Sequence, residues 1–543
     1  MSKLSRSKTL TLVIVFLSVV QLMFKIPFLT KDVGFVVANL TIDDTYYYLE
    51  TAWNTKVLGF PTFDRIHSTS GVQLLWYLIL VLASYLTPSK IALLYTALFL
   101  CFIFNTLCYL AILKIGEILD RPILTIAMAV TWFFVSANKW YHTAMENSLH
   151  ALVFWLLLWQ IVALVRNSED STGKSNHSRF FITTLLLVLN VWTRVDAAVY
   201  SAMLYVFVLL TLYRSGQLSF RNRTDLRLVF GTAGIAVSGA LIMGGVFWIM
   251  DRSVLPVSGR IKMLDFDWQL DTLRVVASRG FELVTPFPKF AKLVLPGEID
   301  QNVLGGWLGL LAIVTVAALF HSRYSLDSRL ARYRTLWKVL LATNLVYLLF
   351  LGGLVDHALY GVWYLSPYLI FATWTVAIAV DGVYHLIRRK TGPRAYAMVL
   401  PAALVVVVLI ASVLSYVSKF SSTDYLDESL DYTRVRVSNW ISENLDSTDV
   451  CSAYHAGELG FFTKQSVINL DGLINDKSYY EDVIVGDLSI VDYLHMNGVS
   501  CFIQNYSNPQ ELKYEELRPH LELIKAFEFR GGSLAVRVFR IEY

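Results

Sequence analysis

Long apolar runs alternate with short polar stretches along most of this chain. The runs that we predict to cross a membrane lie at 9–29, 91–115, 122–137, 146–165, 180–193, 196–213, 229–250, 303–320, 335–352, 363–386 and 395–418. Hydrophobic residues make up 55% of the 543 residues and charged residues only 16%, whereas a soluble protein averages about 25% charged residues. The pattern and the composition together predict an integral membrane protein.

The basic loops indicate which of these runs cross the membrane. A further run at 72–87 is shorter and begins with polar residues. If it crossed, the basic loops would fall on alternating sides; as an interfacial helix, it leaves them all on the N-terminal side, as the positive-inside rule requires. We therefore predict about eleven spans, with the N-terminus cytoplasmic and the C-terminus outside. The run 9–29 lacks a small-residue cleavage site, and we interpret it as a retained anchor.

The composition changes after residue 418. Residues 419–543 carry many more charges, and polar and apolar residues alternate there regularly. The stretch 434–444 is typical of an amphipathic helix, and 449–454 and 499–504 are typical of strands. We expect an all-α polytopic membrane domain over residues 1–418 and a soluble α/β domain over residues 419–543, facing outward.

The net charge and the cysteine positions indicate which partners and which disulfide bonds to expect. The net charge is only +4, so no nucleic-acid partner is expected. Cys101 and Cys108 lie in one apolar run and fit ordinary packing. Cys451 and Cys501 lie in the strand-like segments of the outer region, where they either form a disulfide or remain two buried thiols.

Two adjacent carboxylates, Asp43 and Asp44, follow the first apolar run and open a polar loop. Tyrosines including Tyr47 come next, and His67 precedes a Ser/Thr/Gly stretch. An Asp near a helix N-terminus commonly caps that helix, which accounts for one acid, most readily Asp44, before a helix that ends at Gly59. The second acid suggests a general base or a ligand of a divalent cation.

Further charged residues stand at the predicted outer ends of other spans. Glu146 begins one of them and is either a glutamate exposed to interfacial water or a functional group. Arg194 and Asp196 stand between two apolar runs. They are either an ion pair that stabilises a helix break or a functional pair, and the residues by themselves favour neither alternative.

Two later outer segments add donors and cations. Ser258, Arg260 and Lys262 follow a proline turn just after a span. They suit a phosphate near the lipid headgroups, although ordinary headgroup contact explains them as well. Asp356 and His357 lie in an outer turn rich in aromatic residues, where they line a polar cavity or belong to an aromatic belt.

The ordered set of these motifs resembles the GT-C superfamily of integral-membrane glycosyltransferases. The run Asp43-Asp44-Thr-Tyr is similar to the Asp-Asp-Ala-Tyr pattern of bacterial and archaeal members related to terminal arabinofuranosyltransferases. Ala-Met-Glu146 resembles the family's Gly-Met-Glu, and Thr-Arg194-Val-Asp196 resembles its Arg-Pro-Asp. The segments 255–262, 456–462 and 469–475 match as well, so the resemblance covers nearly the whole chain.

Three positions depart from the family pattern. Ser70 stands where the family has Asn, Ala144 where it has Gly, and Val195 where it has Pro. The resemblance therefore indicates the superfamily without a subfamily.

The resemblance implies an inverting transfer of a hexose or pentose from a polyprenyl-phosphate carrier to a glycan, lipid or protein acceptor on the non-cytoplasmic face. In this chemistry a carboxylate removes the acceptor's hydroxyl proton, while the leaving phosphate needs cations rather than a general acid. The resemblance assigns the base to Asp43 and leaves Asp44 to cap its helix or orient the acceptor. No cofactor is expected; a divalent cation is permitted but not favoured.

The remaining site residues are assigned by the same resemblance. Glu146 would position Asp43 or the acceptor. Arg194, Arg260 and Lys262 would hold the lipid phosphate. The residues implied to bind substrate are Tyr47, His67, Arg194, Asp196, Ser258, Arg260, Lys262, Asp356 and His357.

Two other functions compete with a transferase. A transporter or flippase of lipid-linked sugars usually shows internal repeats and ionisable sites near the bilayer midplane, whereas the polar residues here cluster at one face. A scaffold whose outer domain binds a partner is the third possibility. For each of them we expect a location in the inner (plasma) membrane.

Overall fold

The computed structural model describes residues 3–136, 143–169, 176–263, 310–318, 334–354, 362–391, 429–504, 512–530, 532 and 534–543. Up to residue 391 the described chain is helical, and from residue 429 it is a mixed α/β unit. This confirms the predicted fold class. The helices of the first part are α1 (Lys3–Lys25), α2 (Val33–Leu40), α3 (Asp43–Leu58), α4 (Leu74–Leu86), α5 (Lys90–Leu119), α6 (Pro122–Ser136), α7 (Asn147–Glu169), α8 (His177–Thr193), α9 (Ala198–Arg214), α10 (Arg223–Asp251), α11 (Val257–Lys262), α12 (310–318), α13 (Arg334–Leu354) and α14 (Ser366–Thr391).

Seven helices of the described residues are long and apolar enough to cross a membrane. They are Leu10–Thr30, Lys90–Leu119, Asn147–Asn167, Val195–Arg214, Arg223–Asp251, Arg334–Leu351 and Ser366–Arg388. The chain is therefore a multi-pass membrane protein. The predicted span 395–418 and half of 303–320 lie outside the described residues, so the number of eleven and the orientation stay predictions.

The two least regular parts of the predicted topology have clear structural counterparts. Helix α4 contains 13 residues, which rise about 20 Å against a hydrocarbon core of about 30 Å; this fits the interfacial interpretation of 72–87. Helix α8 ends at Thr193, and Arg194 is extended with φ −157° and ψ 123°. A short 3₁₀ turn, Val195–Ala197, then leads into α9, so the predicted helix break is present.

Large aromatic side chains and close helix contacts fill the interior of the helical part. Trp132 and Trp155 are buried and meet edge to face, with ring centroids 5.6 Å apart, where α6 packs on α7. A Cβ at Gly116 would collide with Thr125, so α5 and α6 approach closely at that point. Small residues at such contacts let membrane helices pack.

The C-terminal unit is built on a five-stranded sheet of order β2-β1-β3-β5-β4. Strands β1, β2 and β3 run parallel, and β5 is antiparallel to both of its neighbours. The predicted amphipathic helix and both predicted strands are present. The elements are α15 (Leu430–Asn444), β1 (Val450–Ala453), α16 (Gly457–Phe462), β2 (Ser466–Asn469), a π-helical turn (Tyr479–Ile484), α17 (Ile490–Met496), β3 (Val499–Gln504), α18 (Leu512–Leu517), β4 (Leu521–Phe529) and β5 (Leu534–Ile541).

A disulfide joins the centre of this sheet. Cys451 on β1 and Cys501 on β3 occupy paired positions, and their Cα atoms lie 4.4 Å apart. Of the two alternatives that the sequence left open, the structure contains the bonded one. Cys101 and Cys108 are free and buried, as expected.

The C-terminal unit (residues 429–543), named the outer unit after its predicted location, packs directly on the first loop of the helical part. The ring of Tyr46 lies 5.1 Å from that of Phe461 and 5.5 Å from that of Phe462, within one apolar core that both units share. A Cβ at Gly457 would collide with the carbonyl oxygen of Asp43, and a Cβ at Gly71 with that of Leu473. The boundary predicted at residue 418 itself falls outside the described residues.

Candidate active site

The two acids of the first loop are the first two residues of α3. Ile42 is the N-cap, and its backbone N–H donates to Thr45 Oγ1 at 3.4 Å. The expectation that Asp44 caps the helix is therefore wrong, because Asp43 and Asp44 are the first and second residues inside it. Their charges still face the positive end of the helix dipole, which favours anions in the first turn.

Asp43 faces the outer unit. Its Oδ1 accepts a hydrogen bond from the Gly457 backbone N–H at 2.8 Å and lies 3.6 Å from Arg434 Nη1. Its Oδ2 lies 3.8 Å from His455 Nδ1. Burial by itself raises the pKa of Asp43, but the Arg434 guanidinium and the hydrogen bonding outweigh it, so the pKa lies below its usual value.

A second carboxyl stands behind Asp43. Glu458 is fully buried, and its Oε2 lies 3.1 Å from Arg434 Nη1. Burial first, and then the neighbouring charge of Asp43, raise the pKa of Glu458 well above its usual value. Of these two carboxyls, Asp43 is therefore the stronger acid.

Asp44 interacts instead with α11. Burial raises the pKa of Asp44 to about 6, the charge of Lys262 opposes this shift, and the charges of Asp43 and Asp471 add to it. Burial lowers the pKa of Lys262, but Tyr364 and Asp44 outweigh it and bring the value to about 12. Lys262 and Asp44 therefore each favour the charged form of the other.

Arg194 organises a second charged cluster on the bundle side. Its Nη1 pairs with Glu146 Oε1, and its Nε lies 3.1 Å from Asp196 Oδ1. Asp196 also accepts a hydrogen bond from Tyr347. The Arg194 guanidinium lies 4.4 Å from the centre of the Tyr364 ring, and Lys262 Nζ lies 5.5 Å from the same centre. Two predicted phosphate ligands thus share one aromatic ring, a favourable cation–π arrangement.

Tyr47 links α3 to the outer unit. Its hydroxyl donates to Asp471 Oδ2 at 2.7 Å and accepts from Asn469 Nδ2 at 2.8 Å. Asp43, His455 and Asp471 form the one group of possible metal-ligating side chains found in the described part of the chain.

His67, in contrast, lies away from the acids. Its Nδ1 is 2.7 Å from Asp64 Oδ2, and its Nε2 is 2.9 Å from Asn497 Oδ1 in the outer unit. These contacts join the first loop to the outer unit and leave no direct contact with the acid pair.

Arg260 and Ser258 lie on α11, the helix that also carries Lys262. Arg260 stacks over the ring of Tyr480 at 3.9 Å and lies 3.4 Å from Glu481 Oε1, so it binds the outer unit. Ser258 is half-buried on α11. Asp356 and His357 lie outside the described residues.

Sequence reasoning missed the contribution of the outer unit and of one aromatic residue. Arg434, His455, Glu458 and Asp471 all gather around Asp43, and Tyr364 separates Arg194 from Lys262. The only signal was the resemblance of segments 456–462 and 469–475 to the family's outer domain.

Comparison with solved structures identifies the fold. The chain is similar to ArnT from Cupriavidus metallidurans bound to undecaprenyl phosphate, with 12% identity, a TM-score of 0.55 and 97% of each chain covered. It is also similar to AglB from Archaeoglobus fulgidus, an oligosaccharyltransferase in complex with an inhibitory peptide and a dolichol-phosphate, with 11% identity and a TM-score of 0.51 over 91% of this chain and 69% of that one. No family model and no curated protein sequence matches. These likenesses confirm the GT-C fold that the motifs predict.

Proposed function

We propose that this chain, which has the GT-C fold, transfers a monosaccharide from a polyprenyl-phosphate carrier to an acceptor hydroxyl, with inversion. The acceptor is a glycan, lipid or protein, and the reaction takes place at the non-cytoplasmic face of the inner (plasma) membrane. Residues 1–418 act as the catalytic membrane domain and residues 419–543 as its outer domain.

The observation that carries this proposal is the meeting of acids and cations at one place. Asp44 and Lys262 favour each other's charged form. The ring of Tyr364 lies between Lys262 and Arg194, and Arg194 is paired with Glu146. A glycosyl transfer from a phosphate carrier needs these two kinds of group together: a carboxylate for the incoming hydroxyl and fixed cations for the leaving phosphate.

The bond changes balance without a general acid. The acceptor oxygen attacks the anomeric carbon and forms the new glycosidic bond, while its proton passes to a carboxylate of the acid pair. The bond from the anomeric carbon to the carrier phosphate breaks, and its electron pair stays on the phosphate. Lys262 and Arg194 compensate that charge. The resemblance assigns the proton to Asp43, and Glu146 orients Arg194 through their ion pair.

The lipid part of the donor has support from the solved relatives of this fold. ArnT was solved with undecaprenyl phosphate and AglB with a dolichol-phosphate. We extend a polyprenyl-phosphate donor to this chain because its own cations lie just outside the apolar spans, where such a headgroup would stand.

Mass spectrometry of lipid-linked sugars tests this function. Cells without the gene should accumulate a polyprenyl-phosphate sugar and lose the glycan that receives it. A copy carrying Asp43→Asn should fail to restore the glycan, since losing a general base costs about 10²–10⁴-fold in rate. Asp120→Asn is the matched control, because Asp120 is exposed and has a left-handed φ of 53°, which Asn accepts.

Purified protein distinguishes the transferase from a flippase. A transferase forms a new glycosidic bond in detergent solution, where no second leaflet exists. A chain that only moves labelled lipid-linked sugar between the leaflets of a vesicle, and forms no such bond, would contradict the proposal.

A further inference from the structure

Helix α11 carries Lys262 and is held at its first residue by a buried hydroxyl of the first loop. Ser70 is fully buried; its Oγ accepts a hydrogen bond from the Val257 N–H at 3.1 Å and donates one to Asp251 Oδ2 at 3.0 Å. Asp251 is the last residue of α10. Ser70 therefore fixes the turn between α10 and α11, since both of its buried partners would lose a hydrogen bond without it.

The outer unit reaches the same turn through its segment 472–481. Asp251 Oδ1 accepts a hydrogen bond from the backbone N–H of Lys477 at 2.7 Å. In the first loop, Thr69 Oγ1 donates to the carbonyl oxygen of Asn475 at 2.9 Å. The first loop, the end of α10 and the outer unit thus meet at the start of α11.

Two residues of α11 itself pack on that segment. A Cβ at Gly472 would collide with Ile261 Cδ1, so the backbone of the outer unit closely approaches this side chain. The Arg260 guanidinium lies 3.9 Å from the centre of the Tyr480 ring, and its Nη2 lies 3.4 Å from Glu481 Oε1. The segment 472–481 therefore covers one side of α11 with an apolar contact and a cation–π contact.

Lys262 projects from the other side of this helix. Residues two positions apart on an α-helix point about 160° apart, so Arg260 faces the outer unit while Lys262 faces the helical part. There Lys262 Nζ lies 5.5 Å from the centre of the Tyr364 ring, which the Arg194 guanidinium also contacts, at 4.4 Å. The contacts of the outer unit with α11 thus determine where the Lys262 ammonium lies.

We propose that the outer unit positions Lys262 for the carrier phosphate, through Ser70, Asp251 and Arg260. These three are positioning residues, because each acts by holding α11 and none binds the phosphate itself. Arg260, which the resemblance assigned to the phosphate, is thereby an anchor of the helix.

This inference rests on the proposed function for the ligand, a polyprenyl phosphate. It adds that docking of the outer unit and binding of the carrier phosphate favour each other. Such a coupling between two binding events is reciprocal, so it can be measured from either side.

Undecaprenyl phosphate, the lipid bound in the ArnT structure, tests the coupling without a sugar donor. It is added to the full-length chain in detergent, its affinity is measured by native mass spectrometry, and release of the outer unit is followed by limited proteolysis. We expect saturable binding by the wild type. We also expect slower release at saturating undecaprenyl phosphate, because a ligand that prefers the docked form stabilises it.

The variant Tyr480→Leu distinguishes an anchor from a phosphate ligand, since it removes the ring under Arg260 but no charge. We expect Tyr480→Leu and Arg260→Gln to weaken undecaprenyl phosphate binding equally, by about tenfold, within the range of typical couplings. The double variant should bind no more weakly than either single variant, because both remove the same contact. If Arg260→Gln weakened binding and Tyr480→Leu did not, Arg260 would be a phosphate ligand and the inference would be overturned.

The variant Ser70→Ala tests the other side of α11. It should weaken undecaprenyl phosphate binding by about tenfold, measured well below the Tm of the variant so that unfolding does not contribute. The matched control is Arg252→Asn, which removes an exposed cation next to Asp251. Arg252 has a left-handed φ of 52°, which Asn tolerates, and this variant should bind as the wild type does.

The outcomes separate the inference from the proposed function. Unchanged affinity in Tyr480→Leu and Ser70→Ala, or a wild type whose proteolysis does not respond to undecaprenyl phosphate, would overturn the inference. A wild type that binds no undecaprenyl phosphate would overturn it as well. The transfer reaction is measured separately, by the mass spectrometry of glycans, and a chain that shows the coupling but forms no glycosidic bond refutes only the transferase function.

Discussion

The two charged clusters of this protein are assembled in different ways. The Arg194 cluster lies inside the helical part, where Glu146 and Asp196 come from the ends of neighbouring helices. The Asp43 cluster lies between two units, and its partners Arg434 and Gly457 are about 400 positions away in the chain. The first cluster forms when the helices pack, whereas the second forms only when the outer unit docks.

Because the two clusters are assembled differently, mutations in them should damage the protein in different ways. A change in the Arg194 cluster should destabilise the helical part, because its charges are buried among membrane helices. A change in the Asp43 cluster should release the outer unit while the helical part remains folded.

Removing the central cation of either cluster should have the largest effect. Arg194 and Arg434 are both buried, with side chains 3% and 5% exposed. Breaking a buried pair from one side typically costs about 3–5 kcal/mol, because the remaining carboxylates are left uncompensated. We expect Arg194→Gln to lower the Tm of the helical part and Arg434→Gln to expose the outer unit to protease.

The control for these variants lies on the same helix as Arg434. Arg436 is exposed on α15, so Arg436→Gln should change neither the Tm nor the protease pattern. If Arg194→Gln and Arg434→Gln changed the Tm of the helical part and the protease sensitivity of the outer unit in the same way, the two clusters would not stabilise separate parts of the protein.

Removing the disulfide should act on the outer unit alone. Cys451 and Cys501 are separated by 50 residues, and closing a loop of that size contributes about 2–4 kcal/mol. The double variant Cys451→Ala/Cys501→Ala should lower the unfolding temperature of the outer unit and leave that of the helical part unchanged, as measured by calorimetry. A matching shift of both transitions would mean that the units unfold together.

Adding a methyl group at Gly457 should disturb the contact between the outer unit and the start of α3. Gly457 lies against the Asp43 carbonyl oxygen, and the added carbon of Gly457→Ala must displace backbone. Overpacking of this kind costs about 1–3 kcal/mol. We expect faster protease release of the outer unit. Gly234→Ala, on α10, adds the same methyl group where nothing lies within 4 Å, and its release rate should equal that of the wild type.

The smallest expected effect is a pH dependence of docking through His67. Burial alone would lower the pKa of His67, but its hydrogen bond with Asp64 and the nearby acidic charge raise it above the usual value of 6.5. The contribution is fully present below about pH 6.5 and is lost as pH rises through the folded-state pKa. It should amount to less than about 1 kcal/mol.

Protease release of the outer unit measured from pH 5 to 9 checks this effect. Release should accelerate toward high pH in the wild type and lose that dependence in His67→Gln. An identical pH profile in the two proteins would exclude His67 as the titrating group.

The sequence surroundings of individual residues explain why the Arg194 cluster was predicted and why the partners of Asp43 were missed. Arg194, Asp196 and Glu146 interrupt or border apolar runs, where an ionisable residue is costly and therefore conspicuous. Arg434 and Glu458 lie in a charged, amphipathic region, where such residues are ordinary on a solvated face. Nothing in their local sequence distinguishes a buried ion pair from a surface one.

Local sequence patterns were sufficient to predict the apolar helices, the break at Arg194, the C-terminal α/β unit and the acid pair at the start of α3. Each depends on local periodicity or on the cost of placing charge beside apolar runs. Tertiary structure alone decided that Asp43 and Asp44 have different partners. Adjacent residues in the first turn of a helix project about 100° apart, so Asp43 meets Gly457 and Arg434 while Asp44 lies beside Lys262.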